Sequence, residues 1–142
     1  MTGLMVCIAV LAAASAFGMW HQRRNGRLTV HKRDDHGDAP RLGATEIGAE
    51  LGERATLLQF SSAFCQPCRA TRRTLVEVAE MIDGVAHVEI DAEAHLDLVR
   101  ELNVLRTPTV LVLDADGRIV RRAAGQPRKG DVIAALGTAV RD

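Results

Sequence analysis

Cys65 and Cys68 stand three positions apart in Phe64-Cys65-Gln66-Pro67-Cys68-Arg69. The pair joins an apolar run, Thr56 to Phe60, to a helix-like run from about Pro67 to Ile82. It constrains the chain more than any other stretch, because a strand and a helix must meet where two sulfurs can touch. At such a junction the pair reads as a redox dithiol rather than as packing. From Cys68 onward, Thr71, Leu75, Val78/Ala79 and Ile82 recur at three- and four-residue intervals and mark one helical face. Cys68 lies on that stripe and Cys65 does not. One sulfur is therefore expected to be shielded and the other presented at the helix N-terminus.

The nucleophile in thiol–disulfide exchange is the thiolate, and a free cysteine of pKa ~8.5 is mostly protonated at neutral pH. Unpaired N–H groups and partial positive charge at a helix N-terminus lower that pKa, and Cys65 is placed to receive both. Arg69, one turn along, and Arg72 and Arg73, about two turns along, either add positive charge there or serve solubility alone. Two intervening residues let Cys68 close on Cys65 or resolve a mixed disulfide. Pro67 suits a first helical turn, where its missing N–H costs nothing. A CxxC can also be half a zinc site, which needs two further ligands. The only other cysteine, Cys7, lies in an apolar run, and His87 and His95 are not at ligand spacing. Neither a metal nor a cofactor is expected.

Around the pair, the pattern alternates. Ala44 to Leu51 reads as a short helix capped by Thr45, and Thr56 to Phe60 as a buried strand. Val85 to Asp91 follows as a strand, then Ala92 to Asn103 as a helix. Val110 to Leu113 and Ile119 to Ala123 form a hairpin about Asp114-Ala115-Asp116-Gly117. Lys129 to Val140 closes the chain as a helix with Val132, Ile133, Leu136 and Val140 inward. The order predicts an α/β sheet covered on both faces. Thr107-Pro108-Thr109 immediately precedes a strand, where either a cis turn or an ordinary trans strand start fits. Lys+Arg and Asp+Glu both number 18, so no net charge points to nucleic acid. With 3% aromatic residues and no tyrosine, there is little material for a base-stacking or sugar-binding platform.

Gly3 to Trp20 is 18 residues without a charge. As a helix it reaches roughly 27 Å, close to the hydrocarbon thickness of a bilayer. Residues 1–20 are thus expected to be a transmembrane anchor, with Trp20 at the interface. A cleaved signal peptide competes through Ala14-Ser15-Ala16, but Met1-Thr2-Gly3 lacks the positive charge such a segment carries. A buried soluble helix also competes, against a run apolar all round. Arg23, Arg24, Arg27, Lys32 and Arg33 follow within about 15 residues, which orients the C-terminal bulk toward the cytoplasm. Cys7 reads as a small apolar filler. Residues 21–43 read as a polar linker, and the His31 to Asp38 run as a solvated tether rather than a metal site.

Residues 44–142 resemble the thioredoxin family. The resemblance is carried by the strand into Cys65-Gln66-Pro67-Cys68, by Val88-Glu89-Ile90-Asp91, by Thr107-Pro108-Thr109 and by Gly125 after the hairpin. It implies a thioredoxin fold, a central mixed sheet with helices on both faces, with Pro108 cis and facing the dithiol. It implies a substrate groove of Phe64, Thr107, Pro108 and Gly125. It also implies attack by Cys65, resolution by Cys68, and a Cys65–Cys68 disulfide as the oxidised state. Five positions depart from the family, one of them Thr107, which stands where an apolar residue more usually precedes the cis-proline. Gln66 replaces the glycine of Trp-Cys-Gly-Pro-Cys, and Phe64 the tryptophan. Gln59 replaces a buried aspartate and cannot take a proton. His87 replaces a nearby lysine and, titrating near neutrality, is the candidate for proton handling. The expected function is a membrane-tethered thiol–disulfide oxidoreductase, a monomer, reducing protein disulfides with electrons from an upstream donor. An extracytoplasmic exchange protein and a non-catalytic docking module are the alternatives.

Overall fold

The computed structural model describes residues 2–30 and 40–140. In order they form α1 (Thr2–Arg24), β1 (Thr29–Val30), α2 (Ala44–Ile47), β2 (Ala55–Ser61) and α3 (Gln66–Met81). Then follow β3 (Val85–Asp91), α4 (Leu96–Glu101), β4 (Thr109–Asp114), β5 (Ile119–Ala124) and α5 (Lys129–Ala139). The strands make one mixed sheet in the order β1-β5-β4-β2-β3. β2 and β3 run parallel; the other pairings are antiparallel.

All of β2 is buried, and its two-residue period sorts side chains into two cores. Leu58 and Phe60 join Leu111, Leu113, Ile47 and Leu98 on the face covered by α2 and α4. Ala55 and Leu57 join Val110, Val112, Leu75, Val78, Val132 and Leu136 on the face covered by α3 and α5. Gln59 belongs to this second set by alternation, so a polar side chain comes to lie beneath α3. Pairing with Glu89 on one side and Val110 on the other holds Gln59 in register.

Several boundaries differ from the sequence pattern. The helix expected over 92–103 forms only as α4, because Asp91 first closes a turn. Its carboxylate accepts from Glu93 N–H at 2.9 Å and its carbonyl from Ala94 N–H at 3.2 Å. α2 is a single turn flanked by Gly43, not Thr45, and ends at Gly48, whose φ of 67° is left-handed. On α5, Ala135 and Ala139 face inward while Ile133 is left 38% exposed, since the register of the buried stripe is set by Val132 and Leu136.

The stretch expected as linker carries structure at its start. Residues 21–24 continue α1, and Thr29 and Val30 pair with Arg122 and Arg121 of β5. Gly26 donates its N–H to Ala124 O at 3.0 Å. Arg41 bridges Arg118 at the other end of β5. The whole His31 to Asp38 run, with Lys32 and Arg33, lies outside the described residues, as does Met1. α1 is wholly exposed and is the one helix, among the described residues, long and apolar enough to cross a membrane. At its end the Arg24 guanidinium lies 4.3 Å from the Trp20 ring centre.

Candidate active site

α3 begins immediately after Cys65, with Pro67 in its first turn. Cys65 is the N-cap, and its Sγ accepts the backbone N–H of Cys68 at 3.2 Å. The two cysteines are joined as a disulfide, with Cα atoms 5.2 Å apart. Cys65 is half-buried, whereas Cys68 is 2% exposed. The inequality expected from the helical stripe is present. An N–H aimed at the outer sulfur, together with the positive end of a four-turn helix, favours the thiolate there once the pair is reduced.

Gln59 lies fully buried under this turn. Its Nε2 donates to the Cys68 carbonyl at 2.8 Å and to Ser61 Oγ at 2.9 Å. A backbone carbonyl only accepts, so the amide nitrogen must face Cys68 and the amide oxygen must face away. That oxygen lies 3.2 Å from His87 Nε2. His87 therefore holds its proton on Nε2 and donates it to Gln59. Burial pushes the His87 pKa down; Glu89 opposes this, and Arg72 adds to it. Arg72 and Glu89 themselves pair at 2.9 Å. His87 thus reaches the dithiol through an amide, which orients groups but passes no proton.

The loop before β4 comes to the same end of the sheet. The Thr107–Pro108 peptide bond is cis. Pro108 O accepts from Gly125 N–H at 2.7 Å, and Thr107 Oγ1 shares a 3.0 Å hydrogen bond with Ser62 Oγ. Thr107, Pro108 and Gly125 line one open cavity of about 930 Å³ together with Pro67. Phe64 does not line it: its side chain is 99% exposed, beyond the dithiol. Leu105, 86% exposed, is a second large apolar side chain near this end that the sequence pattern did not single out.

Further contributors to the cavity were not foreseen. Arg106 lines the cavity and donates from Nη2 to Ala124 O at 2.8 Å; its only sequence signal was adjacency to Thr107. Met19, Gln22 and Arg23 of α1 line it too, and no local pattern in an apolar helix announces a contact so distant in sequence. Among the described residues no three His, Cys, Asp or Glu side chains cluster as a metal site.

A family model described as Thioredoxin matches residues 45–138. Thioredoxin H-type of Oryza sativa subsp. indica is 26% identical over 105 residues, covering 74% of this chain and 80% of that protein. Thioredoxin domain-containing protein 2 of Homo sapiens is 33% identical over 60 residues, which is 42% of this chain but only 11% of that protein. Among solved structures, chloroplastic thioredoxin z superposes with a TM-score of 0.56 at 25% identity, covering 63% of this chain and 81% of that one.

Proposed function

The chain belongs to the thioredoxin family, and from that premise we propose that it is a membrane-tethered thiol–disulfide oxidoreductase that reduces protein disulfides through Cys65 and Cys68. The observation that carries this is the unequal pair at the start of α3: one sulfur half-exposed and hydrogen-bonded by a helix N–H, the other buried. In the reduced protein the Cys65 thiolate attacks one sulfur of a substrate disulfide. A mixed disulfide forms and the second substrate sulfur leaves as a thiolate, which takes up a proton. Cys68 then loses its proton and attacks Cys65 Sγ, releasing the first substrate sulfur and closing the Cys65–Cys68 disulfide. Two electrons pass to the substrate, and an upstream dithiol donor restores the pair.

Thr107, Pro108 and Gly125 are proposed to hold the substrate backbone beside the dithiol, with Phe64 as an apolar contact at the rim. His87 is proposed to act through Gln59, setting its orientation while neutral and adding a charge only under acidic conditions, because burial lowers its pKa. A proton leaving Cys68 then passes to water. Residues 1–20 are proposed as the anchor, 21–43 as the connection and 44–142 as the catalytic domain. The length and apolarity of α1 support the first of these. Five basic residues after the span support a cytoplasmic domain, where the reducing poise favours a dithiol.

The test is disulfide reduction by the full chain in nanodiscs, with and without Cys65→Ser plus Cys68→Ser. Loss of all turnover in the double variant is expected. Equal rates in both proteins would remove the assignment. A reporter fused after Asp142 that is active only outside the cell would reverse the topology while leaving the chemistry in place.

A further inference from the structure

Among the described residues, the cavity beside the dithiol is walled by four cations and no carboxylate: Arg23, Arg106, Arg128 and Lys129. Lys129 pairs with Glu77, and Arg106 is occupied by the Ala124 carbonyl. Arg23 and Arg128 are exposed and, among the described residues, have no ion-pair partner. A second cavity of about 540 Å³ continues from the first, sharing Arg23 and Arg128 and adding Arg27, Arg121 and one acid, Asp131. Among the described residues, a path leading to Pro67 and Pro108 is thus lined by arginines that make no ion pair and by a single acid, Asp131, on a chain whose formal net charge is zero.

The wall is built by a specific close contact. Gly26 is buried with φ of 76°, and a Cβ there would lie 1.8 Å from Gln126 O. Only glycine permits this approach. Together with the Gly26 bond to Ala124 O and the pairing of β1 on β5, it brings the end of α1 against the 125–127 loop. Arg23 and Arg128 therefore come from segments about a hundred residues apart and face one cavity.

We infer that this surface selects the substrate: a polypeptide bearing acidic side chains next to its disulfide, which lie along Arg23 and Arg128 while the disulfide meets Cys65. This deepens the oxidoreductase function proposed above and rests on it. Continuity with the dithiol end of the domain favours a polypeptide over a lipid headgroup, because a chain entering to be reduced passes these arginines.

The experiment uses the full chain in phosphatidylcholine nanodiscs and two synthetic peptides, each with one intramolecular disulfide. One has flanking glutamates, the other glutamines. The acidic peptide is expected to have the higher kcat/KM by roughly fivefold, the scale of two exposed ion pairs. That ratio should fall to about one at roughly 1 M salt, where screening acts within a few ångströms. It should also collapse in Arg23→Gln plus Arg128→Gln, and in Gly26→Val, which displaces the wall. Binding is measured in parallel with serine-for-cysteine analogues of both peptides. Equal reduction and equal binding of the twins overturns the inference and leaves the oxidoreductase function standing. Preferential, arginine-dependent binding of the acidic analogue without reduction of either peptide supports the surface and removes the oxidoreductase function. If the double variant keeps its peptide selectivity but loses affinity for phosphatidylglycerol vesicles, the arginines serve headgroups and the inference fails.

Discussion

Replacing Gln59 by glutamate alters one atom in a fully buried side chain and tests the hydrogen-bond arrangement beneath the dithiol. Gln59 Nε2 donates to Cys68 O and Ser61 Oγ at 2.8 and 2.9 Å. An ionised glutamate would turn an acceptor toward the Cys68 carbonyl, which has no hydrogen to give, and would be buried against it with only Ser61 and His87 left to donate. The variant carboxyl must keep its proton to fit, which raises its folded pKa above the ~4.3 of the unfolded chain. For a raised carboxyl the sign is fixed. Stability is complete below about pH 4.3 and falls as pH rises toward the folded value, because the unfolded state releases the proton first. One group contributes about 1.4 kcal/mol per pH unit, so the variant loses up to about 2.7 kcal/mol between about pH 5 and 7. Ionisation of His87 beside a charged Glu would reduce this figure. Urea unfolding followed by far-UV circular dichroism is the assay, since the chain has no tyrosine and its one tryptophan, Trp20, is in α1. Gln59→Met, which loses the same bonds without a titrating group, should show no such slope. A glutamate variant whose pH profile matches that of the wild type would mean that the amide nitrogen does not face Cys68.

In the wild type, burial lowers the His87 pKa, so folded protein resists a protonation that the unfolded chain accepts. Its contribution is lost as pH falls below about 6.5, and His87→Asn should flatten the stability profile there. Leu75→Ala removes a fully buried side chain from the face of α3 that packs on the sheet. It should cost about 2–5 kcal/mol, read as a lower urea midpoint at unchanged slope. A loss under about 1 kcal/mol would mean that α3 is not held by this core.

The sheet, the helix of the dithiol and the inequality of its sulfurs were legible in the sequence because each rests on a local period. Alternation along Ala55–Ser61 and the stripe from Cys68 to Val78 carry the information over whole elements. Where a single side chain decides, the pattern misleads. Asp91 holds the chain in a turn through residues that continue the helical period into α4. Contacts between distant segments were illegible for a different reason. Thr29 and Val30 gain strand geometry only from β5, and Gly26 gains its role only from the 125–127 loop. The Gln59 position was readable as a departure from the family, but the direction of its amide follows from the Cys68 carbonyl, which only the folded chain brings within reach. The family resemblance grouped Phe64 with the groove, yet at an N-cap turn successive side chains diverge, and it points into solvent.

The most direct test of the central claim is capture of the mixed disulfide. Full-length Cys68→Ser, reduced and then exposed to a disulfide-bonded protein, should accumulate a covalent adduct through Cys65 that dithiothreitol releases. Cys65→Ser should accumulate little, because Cys68 is buried and lacks access to substrate. Adducts in Cys65→Ser but not in Cys68→Ser would contradict the assignment of attacking and resolving sulfurs. Adducts in neither would contradict the redox dithiol itself.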